Sequence, residues 1–146
     1  MFDYLKYLIK LAKLRRQESR VSNIYQEEFK SYRIQKKSRE DIDRLDSDQY
    51  SELKPIWEEI DFLETSYLRA EAKKHFIPFP DFEAKNMWEE CSFIGNVKVL
   101  SNLGIATVRS SLRNEQREKI KLILQVFAGI TGIVGALIGL FSMIKK

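Results

Sequence analysis

The chain has 146 residues, of which 44% are hydrophobic and 32% are charged, and its formal net charge is +4. This length allows one compact domain rather than two, and the high charged fraction favours a thin helical assembly over a thick globule. The single cysteine, Cys91, excludes an intramolecular disulfide, and the composition is typical of a protein in the reducing cytosol.

Residues 1–76 are predicted to form a long cytosolic helical hairpin. Apolar residues recur mostly three or four apart over residues 2–46, which predicts one long helix, although residues 38–41 have the form of a capping box and leave a break there as the alternative. A second helix is predicted to start between Ser47 and Ser51 and to end near His75, with Pro55 either in its first turn or at a kink. Residues 1–37 carry ten basic and four acidic side chains and residues 38–76 carry six and eleven, so the two halves attract each other.

Residues 77–102 are predicted to form a linker and a small β-hairpin. The prolines of Ile77-Pro78-Phe79-Pro80 exclude a helix there and predict a stiff extended connector. Residues 93–100 are rich in β-forming side chains on both sides of Gly95-Asn96, which is typical of a two-residue hairpin turn.

A helix is predicted to follow, with Asn102 as its N-cap and residues 103–121 as a juxtamembrane segment. No glycine or proline interrupts residues 109–128, so the helix should continue into residues 122–144, which carry no charge. These 23 residues would extend about 35 Å, enough to cross a hydrocarbon core of about 30 Å. The fold class is therefore predicted to be mainly α, with one C-terminal transmembrane helix.

The basic side chains before the predicted span outnumber those after it, which favours an N-terminal domain in the cytoplasm and a C-terminus outside. Lys6, Lys10 and Lys13 also interrupt the apolar run that a signal peptide needs, so we expect no export of the large domain. A bacterial inner membrane is the expected location.

One side of the predicted span carries small or polar residues within an arc of about 120°. These residues are Gln125, Ala128, Gly129, Gly132, Gly135, Ala136 and Gly139. Such a face allows close approach of another helix, as a dimer, or lines a narrow pore in a tetramer or similar ring. Because glycine is also common in membrane helices, an anchor without self-association is the alternative.

No residue cluster indicates a reaction. His75 is the only histidine and is expected to be a cation at a helix C-terminus, while Cys91 lacks an adjacent base and is expected to be buried. Four carboxylates have the spacing of an ordinary solvated helix face: Glu58, Glu59, Asp61 and Glu64. We therefore expect no enzyme activity, no cofactor and no metal site.

An anionic ligand is better supported, because the first helix interleaves cations with tyrosines. The candidate ligand-binding residues are Arg15, Arg16, Arg20, Tyr25, Arg33, Lys36 and Lys37. Two other interpretations remain open for this helix: a solvated basic face, and contact of residues 2–14 with an anionic membrane surface.

The layout of a small helical domain without catalytic residues, a basic aromatic surface and one glycine-faced membrane helix resembles the compact membrane effectors of bacterial antiphage defence, of the Hailong type. The resemblance implies that a nucleotide or oligonucleotide made by a partner enzyme binds the soluble part and opens or assembles a channel. The resemblance covers the layout only. No sequence motif is shared, so no functional residue of that family can be assigned to a position in this chain.

The first hypothesis is thus a self-associating single-pass membrane effector in antiviral defence, with an ion channel or pore gated by a nucleotide or oligonucleotide. The membrane, further copies of the chain and that nucleotide are its expected partners. The alternatives are a tail-anchored coiled-coil adaptor that recruits a partner protein to the membrane, and a membrane-bound nucleic-acid binder.

Overall fold

The structure is a computed structural model. It describes the backbone of residues 2–144, and the side chains of that range except those of residues 2, 133, 134 and 136–144. Five elements follow in order: α1 (Phe2–Ile34), α2 (Arg39–Lys74), β1 (Trp88–Glu90), β2 (Lys98–Leu100) and α3 (Asn102–Ile144). The expected fold class, mainly helical with a small two-stranded β-hairpin, is confirmed. The chain divides into two compact units, Met1–Val108 and Arg109–Lys146.

Helices α1 and α2 pack against each other as an antiparallel hairpin. Leu14 of α1 lies in one buried cluster with Leu53, Ile56 and Ile60 of α2. At one end the rings of Tyr7 and Tyr67 stack at 4.2 Å, and further along the Trp57 indole donates a hydrogen bond of 2.8 Å to Glu18. The start of α1 therefore lies beside the end of α2, and the two helices run in opposite directions.

The prediction of one helix over residues 2–46 is wrong, because the chain turns at residues 35–38. Lys36 has a φ of 52°, and Lys37 N–H donates to the Tyr32 carbonyl at 3.0 Å, which closes the C-terminus of α1. Ser38 then caps α2 in a complete capping box with Asp41. These local hydrogen bonds satisfy the helix ends and override the apolar periodicity across the turn.

The predicted start of the second helix between Ser47 and Ser51 is wrong, because α2 begins at Arg39. Pro55 therefore lies inside the helix and not in its first turn, which was the first of the two positions predicted for it. Proline has no N–H, so the carbonyl four residues before it lacks its helical donor. α2 ends at Lys74 with Phe76 at a φ of 56°. Residues 77–80 belong to neither helix nor strand, as the two prolines predict.

The β-hairpin is displaced from its predicted position. β1 and β2 pair antiparallel with Trp88 opposite Leu100 and Glu90 opposite Lys98. Gly95 and Asn96 have positive φ values of 71° and 55°, as a turn requires, but residues 93 and 94 lie in the loop and not in a strand. The loop closes when Cys91 N–H donates to the Val97 carbonyl at 2.9 Å. The first strand therefore forms earlier in the chain than the β-propensities indicate.

Helix α3 is capped by Ser101, which corrects the prediction of Asn102. The Ser101 hydroxyl accepts a hydrogen bond from Gly104 N–H at 3.2 Å, and its carbonyl accepts one from Ile105 N–H at 2.8 Å. A Cβ on Gly104 would collide with the Met87 carbonyl oxygen, so glycine allows the close approach of α3 to the strand region.

The predicted span of residues 122–144 lies within the continuous helix α3. Over the residues that the structure describes, no helix offers an apolar stretch long enough for a membrane crossing. The side chains of residues 133, 134 and 136–144, which complete the predicted span, lie outside that description.

Candidate functional site

A groove lies between α2 and the β-hairpin, within the unit Met1–Val108. It encloses about 380 Å³, a size in the usual range of small-molecule pockets. The described residues that line this basic–aromatic groove are Phe62, Thr65, Ser66, Arg69, Ala70, Lys73, Phe82, Val97 and Lys98.

Three cations and no carboxylate are found among these described lining residues. Arg69 and Lys73 lie four apart on α2, so they share one helix face, and both side chains are exposed. Lys98 lines the same groove from β2, where it lies opposite Glu90 in the strand pair. The groove therefore carries three exposed positive charges, two from α2 and one from β2.

Arg69 is held by aromatic rings. Its guanidinium lies 5.3 Å from the ring centres of both Phe79 and Phe82 and 5.8 Å from that of Trp88. Phe82 and Trp88 stack at 4.7 Å, and the Trp88 indole donates to the Asp81 carbonyl at 2.6 Å. This packing orients the guanidinium without a carboxylate partner in the described part of the chain, so its donors suit an external anion.

Two aromatic side chains at the groove remain accessible, with Phe62 exposed by 41% and Phe82 by 55%. Each offers a ring face or edge beside the cations. A planar group can stack on such a ring while an attached phosphate contacts arginine or lysine. The groove thus has the chemistry to bind an anion that carries a flat ring.

The hairpin side of the groove is tied to α2 by two polar residues of that helix. The Thr65 hydroxyl, at a buried position, accepts a hydrogen bond of 2.9 Å from Leu100 N–H in β2. The Glu58 carboxylate accepts bonds from Ser92 N–H at 3.1 Å, from the Ser92 hydroxyl at 3.2 Å and from Phe93 N–H at 2.8 Å. These contacts hold the strand and its loop against the helix.

Glu58 was predicted to lie on a solvated face, and this is wrong, because its side chain is 4% exposed. Burial alone would raise the pKa of this carboxyl group, but the hydrogen bonds from Phe93 and Ser92 outweigh that effect and the pKa lies below its ordinary value. Asp61 on the same helix has a raised pKa, first because of burial and then because Glu89 and Glu64 are near.

The ligand-binding residues predicted from the sequence do not all meet in one place, although Arg16 and Arg20 line one surface depression on α1 together with Lys13. Arg15, Arg16 and Arg20 lie in the first half of α1, whereas Arg33 is about 20 Å further along the helix and Lys36 and Lys37 lie in the turn beyond it. Arg15 pairs with Glu18 at 2.9 Å, and the Lys37 ammonium lies 5.9 Å over the Tyr32 ring.

Tyr25 is corrected as a candidate for base stacking. Its side chain is only 8% exposed, and burial together with a hydrogen bond to Glu52 raises its pKa. A ring that packs inside the helical hairpin does not present its face to a ligand. The tyrosine belongs to the core and separates the two groups of cations on α1.

Cys91 is 2% exposed, as predicted, and burial raises the pKa of its thiol. His75 is the C-cap residue of α2, the position that the sequence indicates. The two residues therefore have structural positions and lie outside the lining of the basic–aromatic groove.

The small face predicted for residues 125–139 is helical throughout. Gln125 and Ala128 are exposed, and an added Cβ would have open space at Gly129, Gly132 and Gly135. The side chain of Ala136 and the surroundings of Gly139 lie outside the described residues.

Sequence reasoning missed the basic–aromatic groove. The part of the groove on α2 could have been predicted, because four of its residues recur at helical spacing and so share one helix face: Phe62, Ser66, Arg69 and Lys73. Phe82 and Lys98 belong to segments without a periodic pattern, and only the fold of residues 77–97 brings them to the helix.

No protein-family model, curated protein or solved structure matches this chain.

Proposed function

We propose that the protein is a self-associating single-pass membrane effector that is controlled by a nucleotide or oligonucleotide bound in the basic–aromatic groove. In this proposal the N-terminal unit senses the ligand on the cytoplasmic side, and α3 provides the membrane helix and the contact between copies. Antiviral defence through membrane permeation is the biological role that we propose for this arrangement.

The observation that carries the proposal is the composition of the groove. Arg69 and Lys73 supply positive charge, and Phe62 and Phe82 supply accessible rings within the same lining. A nucleotide combines a phosphate with a flat base, and each part has a matching group here. This ligand class fits the groove better than a purely apolar or purely anionic molecule.

The chain provides a direct route from the groove to α3. Lys98 belongs to β2, which ends at Leu100, and Ser101 then caps α3. A ligand that contacts both Lys98 and Arg69 would fix β2 against α2 beyond the bond between Leu100 and Thr65. The first turn of α3 would be fixed with it, which gives ligand binding a means to act on this helix.

The membrane role is supported by the apolar surface of α3. Leu122, Leu124 and Phe127 are each exposed by more than 60%, as a helix facing lipid requires. The Thr131 hydroxyl donates to the Phe127 carbonyl at 2.9 Å, which satisfies this polar group inside the helix. Open glycine positions on the same helix favour close contact with a second copy.

A titration of tryptophan emission tests the ligand, because Trp88 stacks on Phe82 at the groove. The full chain in detergent would be titrated with ATP, with an oligoadenylate trimer, and with adenosine and inorganic phosphate as partial ligands. We expect at least one of the two nucleotides to bind more tightly than either partial ligand. Arg69→Gln and Lys73→Gln should each weaken binding about tenfold or more, since each removes a charged hydrogen bond.

Arg16→Gln and Arg20→Gln are the matched controls, because they remove cations from α1 and leave the groove intact. They should change nucleotide binding less than threefold. If the α1 variants abolish binding and the α2 variants do not, the ligand site lies on α1 and the groove assignment fails. If neither nucleotide binds more tightly than phosphate, the proposal of nucleotide control is contradicted.

A further inference from the structure

Helix α1 exposes apolar side chains on a second face, in addition to the face that it buries in the hairpin. Leu14 and Tyr25 are buried against α2, yet Leu5 is exposed by 55% and Ile9 by 62%. At 100° per residue, Leu5 and Ile9 lie within about 40° of each other and more than 100° from Leu14. The helical hairpin alone does not account for this second face.

Phe76 adds an exposed ring at the same end of the hairpin. Tyr7 of α1 stacks on Tyr67 near the end of α2. Phe76 lies two residues beyond Lys74, the last residue of that helix. Its side chain is 95% exposed, and its φ of 56° is unfavourable for a bulky residue. The fold thus retains a strained backbone that presents a fully exposed aromatic side chain. We call Leu5, Ile9 and Phe76 the apolar tip.

Exposed lysines border the apolar tip on α1. Lys6, Lys10 and Lys13 lie within an arc of about 60°, directly beside Ile9 on the helical wheel. Residues 1–20 carry six basic and two acidic side chains. The tip therefore combines an apolar stripe with a positively charged border.

We propose that the apolar tip docks on an anionic lipid surface, with the three lysines against the headgroups. A protein partner is disfavoured because lysine is depleted in the cores of protein interfaces. Lysines beside exposed leucine, isoleucine and phenylalanine are typical of helices that lie in the membrane interface, where lysine stems also reach the headgroups. This contact is independent of the ligand in the groove and of whether α3 crosses the bilayer.

Quenching by spin-labelled lipid tests the contact locally in the full chain. Ile9→Cys would carry an environment-sensitive fluorophore, and Cys91 is buried and should not react. The labelled chain would be placed in phosphatidylcholine vesicles with and without phosphatidylserine. We expect nitroxide lipids to quench the probe strongly only when phosphatidylserine is present, whereas a probe on exposed Ser47→Cys in α2 should not be quenched.

Charge removal should weaken the contact in proportion to the number of lysines removed. Lys6→Gln, Lys10→Gln and Lys13→Gln should each reduce the phosphatidylserine-dependent association at Ile9 about fivefold, the usual contribution of one basic residue near an anionic surface. Lys30→Gln, on the distant half of α1, is the control and should change it less than twofold.

Phe76→Gly separates docking from folding. Glycine tolerates the positive φ, so this variant should unfold at a higher temperature and yet show weaker quenching at Ile9. Lys36→Gly relieves the same type of strain at the other end of the hairpin and should leave the quenching unchanged.

Three results would overturn the proposal. The probe at Ile9 could remain unquenched in both vesicle types, or it could be quenched equally with and without phosphatidylserine. It could also lose contact with water only as the concentration of the chain is raised at a fixed detergent concentration, which would assign the apolar tip to a second copy of the chain.

Discussion

Glu58 illustrates how the surroundings of a residue decide its role. Its neighbours in the sequence, Glu59 and Asp61, have the same type of side chain, but Glu59 is exposed and Glu58 is 4% exposed. The Glu58 carboxylate accepts bonds from Ser92 and Phe93, more than thirty positions further along the chain. No local pattern in α2 indicates these partners, so the sequence predicted only a solvated helix face.

Glu58→Gln should lower the free energy of unfolding by about 1 to 3 kcal/mol, because an amide replaces a buried carboxylate that accepts three hydrogen bonds. Urea denaturation followed by tryptophan emission measures this loss. Glu59→Gln is the matched control and should change stability by less than about 0.5 kcal/mol. Equal effects of the two variants would contradict the anchoring role of Glu58.

The contribution of Glu58 should also depend on pH. Its pKa is lower in the folded state than its ordinary value of 4.5, so the folded state binds fewer protons and the stabilisation is fully present above that value. It is lost as the pH falls through the folded-state pKa. The stability difference between the wild-type protein and Glu58→Gln should therefore shrink below pH 4.5 in a series of acid denaturation experiments.

At the scale of elements, local chemistry determined where the helices end. The apolar repeat over residues 2–46 predicted one helix, while the capping box of Ser38 and Asp41 was only the alternative. The hydrogen bonds of the cap are made within four residues and satisfy groups that a helix end exposes. The periodicity continues on both sides because both helices face the same core.

The β-hairpin and the basic–aromatic groove were predicted least well. Gly95 and Asn96 were identified correctly as turn residues because their positive φ values suit glycine and asparagine. The partner strand at Trp88 was missed because it is only three residues long and has two glutamates. Pairing with β2 stabilises it, and that pairing is set by tertiary contacts rather than by propensity.

The junction between β2 and α3 gives a prediction at this scale. Gly104→Ala should destabilise the unit Met1–Val108 by about 1 to 3 kcal/mol, because the new methyl group would meet the Met87 carbonyl and the Leu100 side chain. Gly129→Ala on the same helix has open space and should stabilise the helix slightly. Thermal unfolding monitored by circular dichroism compares the two. Equal melting temperatures would contradict the close approach at Gly104.

At the scale of the whole molecule, the proposed self-association depends on the small face of α3. Gly132→Leu and Gly135→Leu each place a bulky side chain where a Cβ now has open space, and they should reduce the oligomer in detergent to monomer. Val126→Leu lies outside the small face and should preserve the oligomer. Native mass measurement gives the copy number, and unchanged oligomers in both glycine variants would contradict the proposed interface.

Replacement of residues 122–146 by an unrelated membrane helix separates an effector from an adaptor. An effector whose activity depends on the small face should lose ion efflux from vesicles and membrane depolarisation in cells. An adaptor needs only attachment to the membrane and should keep its function with the new helix. Retained function would contradict the proposed role of α3.

Helix α2 forms the described interfaces with both α1 and β2. The two segments that pack on α2 therefore leave the ribosome at different times, α1 before α2 and β2 after it. The pairing of α1 with α2 becomes possible once the ribosome has released residue 74, whereas Glu58 and Thr65 must wait for Ser92 and Leu100. We expect the helical hairpin to form first, because both of its helices are synthesised before residues 92–100, and to serve as the template on which the nascent β-hairpin folds.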